Sequence, residues 1–169
     1  MKKLIILLAV VTMFSSCAKK ENNAKPAKTD IKPLVKKSVS HESNNINWFY
    51  NLEKSQIEAK KTGKNIFIHF TGSDWCKWCI KLNDEVYAKT EFSEYAEQNL
   101  VMVKFDFPQS APQSQEVKEY NQQMLKKFGV QGFPTVFVLD ADLKLAGRTG
   151  YAAGGPVNSV NNLKSMISK

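Results

Sequence analysis

The sequence has few of the residues that hold metal ions and no apolar run long enough to cross a membrane. It contains two histidines and three cysteines in 169 residues, and a structural zinc site takes four ligands of these types. Leu4–Phe14 is apolar, but a transmembrane helix needs about 20 such residues. No internal repeat and no basic stripe with interleaved aromatic residues is present. We therefore expect no metal, no permanent membrane-spanning helix and no nucleic-acid partner.

The first 17 residues resemble a bacterial lipoprotein signal peptide. A basic start, Met1–Lys3, precedes the apolar stretch, and Ser15 and Ser16 supply small residues before Cys17. Such a pattern is typical of an exported chain. We expect residues 1–16 to be removed and Cys17 to carry lipid, although Phe14 stands where lipoproteins usually have leucine. The alternative is an ordinary secretory signal with an incidental cysteine.

Residues 17–46 are predicted to form a flexible tether. Lys, Asn, Ser and Pro dominate there, so this stretch has too little apolar surface to offset its chain entropy. Nine of the 24 basic residues and three of the 16 acidic residues precede residue 47, so most of the net charge of +8 belongs to the leader. Lysines there can lie against anionic lipid. Residues 47–169 are nearly neutral and long enough for one domain with one core.

The most informative motif is the pair Cys76 and Cys79, separated by Lys77 and Trp78. The apolar stretch 66–70 runs into it, which predicts a strand, a short loop and a helix beginning near Cys76. Unpaired N–H groups and the helix dipole at a first turn stabilise thiolate over thiol. Two intervening residues bring the sulfurs within bonding reach, so the pair can cycle between dithiol and disulfide. Such a pair could alternatively be half of a zinc site.

The pattern beyond residue 46 predicts alternating strands and helices. Strands are expected at 65–70, 100–107, 135–139 and 144–148, and helices at 47–62, 76–88, 91–99, 115–128 and 157–168. We expect Asn47 to cap the first helix, which would carry Trp48 and Phe49 and end near Gly63. This order indicates an α/β sandwich whose first strands are parallel and whose last two form an antiparallel hairpin.

That order, with Trp75 before the two cysteines and Gly132-Phe133-Pro134-Thr135 before the third strand, resembles the thioredoxin superfamily. The resemblance extends from about Lys64 to the end of the chain. It is closer still to thioredoxin-like envelope proteins of bacteria, since thioredoxin itself has Gly-Pro between its cysteines. It implies a three-layer α/β/α sandwich around a central mixed sheet.

The resemblance also implies roles for individual residues. Cys76 would attack a substrate disulfide and Cys79 would resolve the mixed disulfide that forms. Pro134 would be a cis-proline facing the two sulfurs, beside a backbone edge on which a substrate segment can pair. A substrate groove would be lined by Trp75, Trp78, Phe133 and Pro134, although Trp78 could instead simply pack.

We therefore expect a thiol–disulfide oxidoreductase of the bacterial cell envelope, lipid-anchored and facing the periplasm. It would reduce disulfide-containing envelope proteins as a monomer, without a bound cofactor, and another membrane or envelope redox protein would exchange electrons with it. Reduction is favoured because the chain has little room for a dimerisation domain or a large helical insertion between Leu100 and Phe128. The alternative is a binding or chaperone module that keeps the dithiol only as a vestige.

Three polar residues near the motif have two interpretations each. His69 lies on the strand before the cysteines, where it could accept the proton that Cys79 loses or be a core histidine, which we favour. Asp74 could tune the thiols, but Ser73 or Asp74 as the helix N-cap is the simpler interpretation.

Overall fold

The computed structural model describes residues 46–168. The predicted signal peptide, Cys17 and most of the tether lie outside these residues. Five strands form one mixed sheet in the spatial order β1-β3-β2-β4-β5. The strands are β1 Trp48–Phe49, β2 Asn65–Thr71, β3 Leu100–Asp106, β4 Thr135–Leu139 and β5 Leu145–Thr149. β2 pairs in parallel with β3 and antiparallel with β4, and β4 and β5 form an antiparallel hairpin.

Five α-helices cover the two faces of this sheet. They are α1 Leu52–Thr62, α2 Lys77–Leu82, α3 Thr90–Asn99, α4 Gln115–Lys127 and α5 Gly155–Ile167, and a π-helical segment, Asn83–Tyr87, continues α2. The element order and the mixed sheet confirm the predicted three-layer α/β/α fold.

Alternation along β2 creates two apolar cores. Ile66, Ile68 and Phe70 are fully buried in the core that α1 and α4 cover. Phe67 points to the other face, where α2, α3 and α5 supply the partners. Successive side chains of a strand alternate between faces, and each buried aromatic or aliphatic side chain contributes roughly 1.5–3 kcal/mol. Burial on both faces holds β2 at the centre, with the end that leads into the cysteine motif fixed in place.

The prediction for the first helix was wrong at its start. Trp48 and Phe49 form β1, which pairs in parallel with Met102 and Val103 of β3. The helix begins at Leu52 because the Asn51 side chain accepts a hydrogen bond from the N–H of Lys54 and caps it. Pairing with a distant strand therefore overrides the local apolar spacing. The predicted end is confirmed, since Gly63 has φ of 70° and closes α1.

The second helix was expected to be one α-helix over 76–88. The structure instead widens after Leu82 into a π-helical segment, in which the N–H of Ala88 donates to the carbonyl of Asn83. A turn of this width places residues five apart on one face. Leu82 and Tyr87 are accordingly both buried in the same core.

Candidate active site

The two cysteines lie where β2 ends and α2 begins. Cys76 and Cys79 form a disulfide, with their Cα atoms 5.2 Å apart. Cys76 is 7% exposed and Cys79 is 2% exposed. The pair therefore lies at the surface end of the sheet, with the first cysteine slightly more accessible than the second.

The helix N-cap is Cys76, so the prediction that Ser73 or Asp74 caps α2 was wrong. The N–H of Cys79 donates to Sγ of Cys76 at 3.3 Å, and the N–H of Ile80 donates to the carbonyl of Cys76 at 3.0 Å. The sulfur thus occupies the position that a Ser or Asp oxygen usually fills at a helix start.

Ser73 and Asp74 bind a different part of the chain. The N–H and hydroxyl of Ser73 donate to the Asp106 carboxylate, at the end of β3. The Asp74 carboxylate accepts hydrogen bonds from the backbone N–H groups of Gln109, Ser110 and Ala111. The donors at Gln109 and Ser110 hold the pKa of Asp74 below its ordinary value. These contacts tie the loop before the cysteines to the loop after β3.

The Trp75 indole has one fixed orientation beside the cysteines. Its Nε1–H donates to the carbonyl of Phe107 at 2.7 Å, and its ring meets the Phe133 ring edge-on at 6.0 Å. A Cβ at Gly72 would lie 2.6 Å from Nε1, so only glycine leaves room for this indole. Trp75 keeps 44% of its surface exposed, and it is therefore available to a partner.

Phe133 and Pro134 lie at the same end of the sheet as the cysteines. Thr135 pairs with Phe70 of β2, so Pro134 is level with the loop that follows β2. The Phe133–Pro134 peptide bond is cis. The Phe133 ring stacks on Phe107 at 5.1 Å. The structure therefore brings together Trp75, Phe107 and Phe133 as an aromatic wall next to Pro134.

Trp78 lies on the other side of the motif and belongs to a second aromatic group. Its ring is 5.1 Å from that of Tyr151, and the Tyr151 hydroxyl donates to Glu85 at 2.7 Å. The Lys81 ammonium lies over both rings, at 5.6 and 5.4 Å. Trp78 is nevertheless 50% exposed, so both expected roles of this residue, packing and presenting an apolar surface, are compatible with its position.

His69 is buried on the α2 side of the sheet. Its ring lies 5.2 Å from the Tyr87 ring and 6.2 Å from the Trp48 ring. Neither ring nitrogen has a hydrogen-bond partner among the described residues, so no hydrogen bond links it to Cys79. Burial, and then the charge of Lys104, lower the pKa of His69 to about 3. The imidazole is therefore neutral at physiological pH.

Other kinds of site were also sought in residues 46–168. Over that range no group of three His, Cys, Asp or Glu side chains could hold a metal ion, and no helix is long and apolar enough to cross a bilayer. A cavity of about 410 Å³ lies near the starts of β2 and β3, away from the cysteines, with Phe49, Glu58, Lys64 and Leu100 among its lining residues.

Sequence reasoning missed three parts of this site: Asp106, the loop after β3 and Tyr151. Asp106 and Tyr151 are 30 or more residues from the cysteines along the chain, and nothing in their local pattern marks them. A loop bracketed by Pro108 and Pro112 next to a strand end was the available signal for the second part.

A buried mixed sheet whose central strand leads into a helix-capping Cys-x-x-Cys, facing a cis-proline, defines a thioredoxin-like protein. A sequence profile described as "Thioredoxin-like domain" matches residues 52–156. The chain belongs to this thioredoxin-like family.

Individual relatives agree with this assignment. The chain is 37% identical over 123 residues to a Chlamydia pneumoniae protein named "Disulfide bond reductase DsbH", covering 73% of this chain and 74% of the relative. A solved structure titled "DsbH Oxidoreductase" superimposes with a TM-score of 0.70 at 32% identity, covering 86% of this chain and 95% of that one. A thioredoxin from Thermus thermophilus shares the fold alone, with a TM-score of 0.54 at 17% identity over 73% of this chain and 88% of that one.

Proposed function

We propose that the chain is a thiol–disulfide oxidoreductase that reduces disulfides of cell-envelope proteins. The observation that carries this proposal is the disulfide between Cys76 and Cys79 at the start of α2. The identity to a protein named as a disulfide bond reductase supports the direction of the reaction. No sequence or structural feature specifically favours the binding or chaperone alternative.

The reaction balances with the two cysteines alone. In the reduced protein the Cys76 thiolate attacks one sulfur of a substrate disulfide, forming a mixed disulfide and releasing the first substrate thiolate. Cys79 then loses its proton and attacks Sγ of Cys76, which releases the second substrate thiolate and forms the Cys76–Cys79 disulfide. Two electrons have passed to the substrate. A dithiol protein must return them to Cys76 and Cys79 before the next cycle.

The test is reduction of insulin by the full-length chain with dithiothreitol as electron donor. We expect the wild type to accelerate insulin precipitation and the variants Cys76→Ser and Cys79→Ser to be inactive. Cys17→Ser is the matched control, because it removes a cysteine outside the folded part and should leave the rate unchanged. A wild type that does not accelerate the reaction would instead favour the binding or chaperone module.

The contacts of His69 support its role as a core histidine rather than as the proton acceptor of Cys79. A base with a pKa of about 3 takes a proton from a thiol poorly, and no hydrogen bond connects the two side chains. His69→Leu should therefore leave the pH dependence of the insulin-reduction rate unchanged. A large loss of rate at neutral pH in a folded variant would reinstate His69 as the acceptor.

We also propose that the chain is anchored in the bacterial envelope by lipid on Cys17 and faces the periplasm. Support comes from the apolar stretch that ends in Ser15-Ser16-Cys17 and from the name of the relative. Cys17→Ser should abolish incorporation of a radiolabelled fatty acid and move the chain out of the detergent phase. Unchanged labelling and partitioning would contradict the anchor and favour an ordinary secretory signal.

A further inference from the structure

The loop after β3, residues 107–113 and called the groove loop below, is bound by three consecutive residues of the active-site loop. Ser73 binds Asp106 at the base of the groove loop, Asp74 binds its centre and Trp75 binds its first residue. The donor–acceptor distances are between 2.6 and 2.7 Å in these three bonds. Two segments more than 30 residues apart are therefore held side by side directly before Cys76.

Asp74 makes the largest number of these contacts. It accepts from Gln109 at 2.9 Å, from Ser110 at 2.7 Å and from Ala111 at 3.0 Å. Pro108 and Pro112 flank these residues and have no N–H to donate. Every backbone donor between the two prolines thus points at one carboxylate. Since hydrogen bonds to a charged acceptor are about twice as strong as neutral ones, Asp74 is the residue that sets the conformation of the loop centre.

The groove loop also forms one wall beside the cysteines. Phe107 stacks on Phe133, which precedes Pro134, and its carbonyl fixes the Trp75 indole. Gln109, Ser110 and Ala111 are exposed. A small disulfide needs to reach only the sulfurs. A polypeptide disulfide brings flanking residues that must pass along this wall.

We propose that Asp74 is a positioning residue that holds the groove loop ready for polypeptide substrates and so selects them over small disulfides. This inference rests on the proposed function. A wall that is already ordered lowers the entropy lost on binding. A role through charge alone is the competing explanation, because a carboxylate two residues before Cys76 would disfavour its thiolate. The two explanations differ in the redox equilibrium, which only a charge effect alters.

The experiment compares Asp74→Ala, Asp74→Asn and a matched control, Asp84→Ala, in the full-length chain. Asp84 is an exposed acid on the helix after the cysteines and binds no part of the groove loop. Steady-state rates are measured with insulin and with oxidised glutathione, and the equilibrium of the Cys76–Cys79 disulfide with glutathione is measured for each variant. Amide hydrogen exchange at Gln109–Ala111 reports the loop directly.

We expect Asp74→Ala to raise the KM for insulin by about tenfold, which corresponds to about 1.4 kcal/mol. The kcat for insulin, kcat/KM for oxidised glutathione and the glutathione equilibrium should all stay within about twofold of wild type, and exchange at Gln109–Ala111 should accelerate. Asp74→Asn should recover part of the KM, because its amide oxygen can still accept from the loop. The Asp84→Ala variant should match the wild type.

Three results would overturn the inference. An unchanged KM for insulin or unchanged exchange would show that Asp74 does not hold the loop, an equal loss for both substrates would indicate general structural damage, and a shifted glutathione equilibrium would indicate a charge effect. These failures are separate from failure of the proposed function, in which the wild type itself would not reduce insulin.

Discussion

The backbone N–H of Cys79 donates to the Sγ atom of Cys76 at 3.3 Å. In the disulfide this contact makes Cys76 the cap of its own helix. In the dithiol the same N–H would meet the sulfur that attacks, and a hydrogen bond to an anion is stronger than one to a neutral group. The two cysteines therefore differ in role because one lies before the helix and the other lies within its first turn.

Cys79→Ser should accumulate mixed disulfides on Cys76, because the serine hydroxyl cannot displace the bound substrate. The measurement is non-reducing electrophoresis of cell extracts, followed by mass spectrometry of the trapped proteins. Cys76→Ser is the matched control and should trap little, since the remaining cysteine is 2% exposed. If Cys76→Ser were to trap more than Cys79→Ser, the assigned order of attack would be reversed.

Gly72→Ala should displace the Trp75 indole, because the new Cβ would lie 2.6 Å from Nε1. The hydrogen bond to Phe107 would be lost, at a cost of roughly 1 kcal/mol in unfolding free energy. Proton NMR should show the Nε1–H resonance of Trp75 shifted and exchanging faster. Gly132→Ala is the control, since a Cβ there meets nothing within 4 Å. A resonance unaffected by Gly72→Ala would show that the indole does not lie over this glycine.

Trp78→Ala should weaken insulin reduction by about fivefold in kcat/KM, since exposed aromatic side chains at the centre of an interface carry much of its binding energy. Tyr151→Phe keeps the ring that stacks on Trp78 and removes only the hydroxyl that donates to Glu85. It should therefore retain nearly full activity. Equal activity of Trp78→Ala and wild type would limit Trp78 to packing.

The buried His69 should make the protein less stable as the pH falls from about 6.5 towards 4.5. Its pKa is about 3 in the folded protein and 6.5 in the unfolded chain, so in this range only the unfolded chain binds the proton. Stability is therefore fully present above pH 6.5 and is reduced by on the order of 2 kcal/mol at pH 4.5. The carboxyl groups of Glu53 and Asp74 have lowered pKa values, and their contributions are lost at lower pH.

Urea denaturation at several pH values measures this effect. His69→Leu should flatten the dependence between pH 6.5 and 4.5, whereas His41→Asn, which replaces the other histidine of the chain, should leave it unchanged. A wild-type stability that does not change over this range would show that His69 is protonated, or accessible to water, in the folded protein.

Local patterns were sufficient to predict the elements that carry the chemistry. β2 and β4 follow from short apolar runs bounded by turn residues, and the resemblance based on Trp75-Cys76 and Phe133-Pro134 identified the family. Trp48 and Phe49 were assigned to a helix because their strand depends on pairing with β3, which is some 50 residues away. Pairing of this kind leaves no local signal.

The same reason explains the errors around the site. Ser73 and Asp74 have the residue types of N-caps, but Asp106 and the groove loop take up their hydrogen-bonding groups. Tyr151 becomes part of the site only because the loop after β5 returns to α2. Contacts between distant segments therefore decide how the residues around a correctly predicted motif are used.

The most direct test of the central claim is the equilibrium of the Cys76–Cys79 disulfide with glutathione, measured in the full-length chain. A protein that reduces envelope disulfides should have a potential near that of thioredoxin, about −270 mV. A potential near about −120 mV would mark a strong oxidant of the DsbA type and would contradict the proposed direction of electron flow.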